Sequence, residues 1–243
     1  MLYTLFSPSE GKNTGGQVSQ KQDILFGYQP RTEILKSYND IVNSKDSDAI
    51  KALFGIKKEQ DIAPYIEDLF SAPLMPAITR YSGVAYGYLD YSTLSNEAQT
   101  YLQEQVVIFS NLYGSVLGGD LIANYKVKQG NNVADIAPDK FYKERFSHQL
   151  DLQLMNHEIL DLRAGYYDKF YKTKQNYTTL KFLKGGKSVS HWAKAYRGLV
   201  LRELALHQVD SIEAFMKLEI DHLQVEEIKE VKNKKEIIYS ITE

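Results

Sequence analysis

Two short, unbroken apolar runs most constrain what this chain can build: LYTLF at 2–6 and VVIFS at 106–110. Each is too short for a helix and reads as a buried strand. Helical spacing fills much of the rest. Ile34, Leu35, Tyr38, Ile41 and Val42 recur on one helical face. Ala49, Ile50, Leu53 and Phe54 predict a second, shorter helix, stopped by Gly55. A third is expected from Ile62 to Phe70, entered near Pro64, with Pro73 and Pro76 closing the helical section. Residues 95–105 predict a helix capped by Ser95, and 139–155 another. The clearest helix runs from His191 to His207, with Trp192, Tyr196, Leu199, Val200 and Leu204 on one side and Ser188 and Ser190 as candidate caps.

Further strands are expected at 158–163 and 177–183, and LQVEEIKEV and EIIYSIT, joined by KNKK, read as a C-terminal hairpin. Strands and helices intermix without a regular βαβ period. The expected fold is therefore α+β, a mixed irregular sheet with surrounding helices in a single domain over 1–243. Ser7, Pro8, Gly11, Gly15 and Gly16 make the stretch after the first strand, SPSEGKNTGGQVS, a loop.

Composition narrows the chemistry. The 243 residues are 43% hydrophobic and 12% aromatic, enough to fill a core and unlike a disordered chain. There is no cysteine. Disulfides, thiolate metal sites, iron–sulfur clusters, thiol peroxidase chemistry and thiol redox sensing are thereby excluded. His148, His157, His191, His207 and His222 show no ligand-like spacing, so no metal is expected, and no motif announces a cofactor. The N-terminus lacks a basic signal-peptide start and no run of about 18 apolar residues occurs, so a cytoplasmic protein is expected.

The formal net charge of −2 hides an asymmetry. From Arg163 to Arg202 there are ten basic residues and one acid, Asp168, a segment of +9 against −11 over the remainder. Tyr166, Tyr167, Phe170, Tyr171, Tyr177, Phe182, Trp192 and Tyr196 are interleaved with these charges. Such a stripe can follow a phosphate backbone and stack bases, or hold one compact polyanion. Equally, the aromatics can be core and the lysines a solvated face. On a helix, Lys194, Arg197 and Arg202 could converge on one anion.

At this point the residues carry a resemblance. LFSPSEGK resembles the LISPAKT start of the YaaA peroxide-stress family, and YSGVAYGYL its G-x-V-Y-x-G-L segment. NLYGSVLGGDLIANYKVKQG is similar to its LYG block, DKFYKERF to its L-Y-x-F-W region, LDLRAGYYDKFY to its N-L-A-S-x-E-Y block, and SVSHWAKAYRGLVLREL to its K-x-A-R-G signature. Gly118 and Gly119 replace the family's Arg-Pro, Asp161 its Asn, Gly165 its Ser and Tyr166 its Glu, while Lys12 is displaced from the usual lysine position.

The resemblance implies an α+β fold with a helix-hairpin-helix-like element and a basic cleft. It also implies sequence-independent duplex DNA binding, and protection against hydrogen peroxide and iron-dependent damage. Carried over by residue, the hairpin corresponds to Leu112, Tyr113, Gly114 and Leu117. The basic signature corresponds to Lys194, Arg197, Gly198 and Arg202, and the family's Tyr-Arg pair to Tyr125 and Lys126. The expected DNA- or anion-contact set is Lys12, Gly114, Lys126, Lys128, Lys187, Lys194, Arg197 and Arg202.

Three functions compete. A DNA-binding stress protein follows from the resemblance and the +9 segment. Glycine turns at Gly114, Gly118 and Gly119 could offer backbone N–H groups to phosphates, or be ordinary tight turns. An enzyme acting on a nucleotide, nucleobase or other small anion follows from the polar loop Ser7–Lys12, from the Tyr-Gly segment at 81–88 and from Lys194 with Arg197. In it Lys12 or Lys194 serves as base or nucleophile, and Glu10 and Asp161 are possible acid–base groups. A structural interaction protein follows from the acidic remainder and the open edge of the C-terminal hairpin. The first is the preferred expectation.

Overall fold

A computed structural model of the protein describes residues 1–17 and 24–242, without the side chains of Ser190 and His191. Val18 and Ser19, the last residues of the expected N-terminal loop, and the Ser190 side chain, a candidate cap, lie outside the described residues. The first strand, β1 (Leu2–Phe6), is buried at every position. Two helices follow, α1 (Thr32–Asn43) and α2 (Ser47–Phe54). Asp46 caps α2 by accepting from Asp48 N and Ala49 N, and Gly55 ends it in the left-handed region at φ 66°. The expected helix Ile62–Phe70 is only a 3-10 turn, Ala63–Tyr65. Strand β2 (Leu74–Pro76) leads into two short helices, α3 (Ala77–Arg80) and α4 (Val84–Leu89). Helix α5 (Asn96–Gln105) is capped by Ser95, whose hydroxyl accepts from Ala98 N.

Strand β3 (Val106–Ser110) is again wholly buried, and β4 (Gly114–Leu117) and β5 (Leu121–Ala123) follow. Helix α6 (Pro138–Leu154), β6 (Glu158–Asp161), β7 (Tyr177–Lys184) and the two-residue β8 (Lys187–Ser188) lead to helix α7 (Ser190–Leu206). Among the described residues no side chain caps α7 at its start. After α8 (Ile212–Phe215), the chain ends in the hairpin β9 (Leu223–Val231) and β10 (Lys234–Ile241).

One sheet organises the molecule, in the order β4-β3-β1-β6-β7-β10-β9, with β8 on β7. Its centre is parallel: β1 pairs in parallel with β3 and β6, β7 with β6, and β10 with β7. Both edges are antiparallel, β4 on β3 and β9 on β10. The mixed sheet matches the sequence expectation; the run of five parallel strands at its centre does not follow from any sequence period. It does explain the solid apolar runs, because central parallel strands are covered on both faces. A small second sheet joins β2 and β5. One continuous buried cluster extends from Leu2 to Tyr239.

The residues expected in a helix-hairpin-helix-like element lie elsewhere. Leu112 and Tyr113 form the turn of the β3–β4 hairpin, and Gly114 and Leu117 belong to β4. Gly114 is buried at φ 69°, and a Cβ there would stand 2.3 Å from the Tyr142 ring. Its glycine is required by backbone conformation and by packing, and it faces no solvent. The edge strand β9 carries Glu226, Glu227, Lys229 and Glu230 and a register irregularity opposite Ile238/Tyr239, features that discourage edge pairing.

Candidate functional site

Strands β1, β3 and β6 run in one direction, so their carboxyl ends open onto the same side of the sheet. Polar residues stand at those ends: Ser7 after β1, Ser110 closing β3, and Asp161 closing β6. In open parallel sheets this is where ligands bind.

Lys12 is delivered there by the loop after β1. Its backbone forms an antiparallel bridge with Tyr81. The bridge is extended by Asn13 N donating to Arg80 O at 2.8 Å and Ser82 N donating to Gly11 O at 3.0 Å. Farther along, Gln17 pairs with Leu74. The fully buried Arg80 fills the loop. It donates to the carbonyls of Asn13 (2.7 Å), Gly15 (3.0 Å), Pro73 (3.0 Å) and Ile122 (3.3 Å). A guanidinium fork is the group that can hold so many carbonyls at once.

The Lys12 ammonium sits 4.1 Å from the centre of the Tyr125 ring and 5.3 Å from that of Tyr81. It donates to the backbone carbonyls of Ser9 and Glu10 at 3.3 and 3.4 Å. The carboxylate nearest by, Glu10, pairs instead with Lys126 at 3.5 Å. Burial, with Lys126 and Arg80 as like charges and Glu10 opposing, lowers the Lys12 pKa to about 7. A large fraction of Lys12 is thus an uncharged amine at neutral pH.

Behind the amine runs a chain of hydroxyls. Tyr81 and Tyr125 are bonded at 2.8 Å, and Tyr125 and Ser110 at 2.7 Å. Ser110 Oγ accepts from Leu112 N and Tyr113 N at 3.2 and 2.8 Å. With both lone pairs occupied, Ser110 donates into the tyrosine pair, and either tyrosine can donate across their 2.8 Å bond. Burial raises Tyr125 to about 12 and pushes Tyr81 well above its ordinary value, so both remain hydroxyls at neutral pH. Tyr86 closes the wall, donating to Ser7 O at 2.9 Å.

The other expected contacts fall in different places. Lys126 joins Lys12, its side chain 14% exposed. Lys128 is exposed and lines a small polar cavity with Asn111, Tyr166 and Lys169. Lys187 and Lys194 are exposed around the start of α7, where Lys184 lies 5.1 Å over the ring of Trp192, itself 41% exposed. Arg197 is half-buried on α7, its pKa lowered by burial with Asp161 opposing. Arg202 donates to the carbonyls of Leu89 and Asp90 at 2.8 and 3.0 Å, closing the end of α4. Gly198 lets α7 approach α4 closely, since a Cβ there would lie 2.0 Å from Ala85 O.

The +9 segment is therefore dispersed. Arg163 is buried in a two-pronged pair with Asp161, at 2.9 and 2.7 Å, which removes Asp161 from acid–base work. Lys174 pairs with Asp151 at 2.9 Å. Gly118 N and Gly119 N donate to Val106 O and Gln103 O, so neither faces a ligand. Sequence reading pointed to the segment 81–88 that begins with Tyr81 but missed Ser110 and Arg80; for Ser110 the usable signal was a polar residue ending a solid apolar strand. Among the described residues no group of His, Asp and Glu is placed to hold a metal, and no helix is long and apolar enough to cross a membrane.

The model of the peroxide stress protein YaaA family matches residues 1–229. An uncharacterised protein of Campylobacter jejuni is 43% identical over 243 residues, covering 98% of each chain. A UPF0246 protein of Corynebacterium efficiens is 32% identical over 212 residues, 84% of this chain and 85% of that one. Another, of Fusobacterium nucleatum, is 26% identical over 247 residues, 97% of each. By a match that runs from the first strand into β9, this chain belongs to the YaaA peroxide-stress family.

Proposed function

We propose that this chain is a cytoplasmic protein of peroxide defence whose working site is the Lys12 crevice, and that it is an enzyme acting on a small anionic substrate. The peroxide role rests on family membership. The enzymatic reading rests on one observation: an amine with a pKa of about 7 lies against two tyrosine faces at the carboxyl ends of parallel strands. An amine titrating near neutrality is suited to act as a base or nucleophile, because enough of it is unprotonated to react. Lys126 at the rim attracts an anion, and the buried hydroxyls supply a proton donor. The order of the sequence-based expectations is thereby reversed, since the phosphate contacts expected at Gly114, Gly118 and Gly119 face no solvent or are already bonded.

The test is a thermal-shift screen of small anions at fixed ionic strength, with Lys12→Met and the pair Lys187→Ala/Lys194→Ala beside wild type. Stabilisation by an anion that vanishes in Lys12→Met and survives in the pair supports the reading. A Lys12→Met chain that restores full peroxide survival to a deletion strain sinks it.

Duplex binding stays as the second reading, favoured by the exposed group Lys181, Lys184, Lys187, Lys194 and Trp192. It calls for affinity that falls steeply with salt, and for a shallower slope in the Lys187/Lys194 pair.

A further inference from the structure

We propose that Lys12 condenses with the carbonyl group of a small 2-oxo acid to form an iminium; this inference rests on the reading of the crevice as an anion-binding enzyme site. The contacts around Nζ favour covalent chemistry over simple ion pairing. Among the described residues no carboxylate pairs with Lys12, because Glu10 is engaged by Lys126. Beyond the carbonyls of Ser9 and Glu10, Nζ lies against the faces of Tyr125 and Tyr81. Ring faces leave an uncharged amine nucleophilic and stabilise the cation that replaces it.

The Lys12 nitrogen lone pair attacks the carbonyl carbon, the C–N bond forms, and as the carbonyl oxygen gains a proton the nitrogen loses one, giving a neutral carbinolamine. That hydroxyl then accepts a proton from the donor and leaves as water while the nitrogen electrons close the C=N bond. Neutral amine, ketone and one proton become iminium and water, with no oxidant or reductant. The proton donor is the Tyr81–Tyr125 pair, whose rings flank the Lys12 amine and whose hydroxyls are bonded at 2.8 Å, with Tyr81 the member tested below. A carboxylate adjacent to the carbonyl meets Lys126, whose Nζ lies 3.5 Å from the exposed Glu10 carboxylate and can exchange that partner for the substrate.

The experiment uses the full chain with pyruvate as probe and sodium cyanoborohydride as trap, read by intact mass and peptide mapping. The expected result is a single reduced adduct on Lys12 in wild type. It is absent in Lys12→Arg, which keeps the positive charge, and forms at least ~10-fold more slowly in Tyr81→Phe, in the range of a lost proton donor. Circular dichroism confirms that both variants fold. Adducts scattered over surface lysines at equal rates, or none at all, overturn the iminium. Lactate, which has the same charge and no ketone, separates the two readings. If lactate raises the melting temperature of wild type but pyruvate is never trapped on Lys12, the iminium fails and the anion site stands. If neither binds, both fail.

Discussion

Two groups of lysines in this protein carry the same charge and do different physical work. Around the start of α7, Lys184, Lys187 and Lys194 are exposed, and their ammonium groups stay hydrated. In the crevice after β1, Lys12 is part-buried, and burial together with two further cations, Lys126 and Arg80, lowers its pKa. The first group can only contribute a field, screened by salt. The second has its pKa lowered to about 7 by burial. Local burial, and not the charge of the segment, sets that difference: Lys12 lies outside the +9 segment altogether.

The largest effect that can test this contrast lies in a cation whose partners are complete. Arg163 is buried, doubly bonded to Asp161 and bonded to the carbonyls of Tyr167 and Tyr171. Arg163→Ala leaves the buried Asp161 carboxylate with the residue-163 amide but without its guanidinium, and is expected to cost about 3 kcal/mol in a urea melt. A cost under about 1 kcal/mol would mean that the pair is far wetter than its geometry shows.

Next is Arg80→Lys. A lysine cannot span the four carbonyls, and a loss of about 1–3 kcal/mol is expected. Hydrogen exchange should quicken at Asn13 and Gln17, whose amides staple the Lys12 loop. Unchanged exchange there would show that the loop is held without Arg80.

Lys12→Met should stabilise the protein, by about 1 kcal/mol at pH 6, because it removes the cost of a desolvated charge. The sign follows from proton binding. Folding lowers the Lys12 pKa from 10.5 to about 7, so between those values the unfolded chain binds more protons and wild-type stability rises with pH. The advantage of Lys12→Met is therefore full below pH 7 and shrinks between 7 and 10.5. Glu10, Lys126, Arg80, Tyr81 and Tyr125 surround the amine in both proteins, so their titration is largely shared. A gap that stays constant with pH would refute the lowered pKa.

The smallest effect belongs to the exposed group. Lys187→Ala and Lys194→Ala should each change stability by no more than about 0.5 kcal/mol. If the surface meets DNA, each lost phosphate contact should reduce the log–log salt slope by about 0.9, while Lys12→Met leaves it unaltered. A slope that responds to Lys12 instead would move the duplex into the crevice and dissolve the comparison.

The sequence by itself determined the local elements. Solid apolar runs became β1 and β3, Ser95 capped α5, Gly55 stopped α2, and alternation in the tail became the β9–β10 hairpin. These depend on neighbours along the chain, whose spacing is visible. The absence of cysteine likewise fixed what chemistry was impossible. Tertiary structure decided the rest. The helix expected over Ile62–Phe70 shrank to a short 3-10 turn, the glycine block became a packed hairpin under Tyr142, and Arg202 became the end-cap of α4. The candidate site was hidden for the same reason. Lys12, Tyr81, Ser110 and Tyr125 are far apart in sequence and meet only because parallel pairing brings the ends of β1 and β3 together. Burial is a property of that assembly, and burial is what lowers the pKa of Lys12.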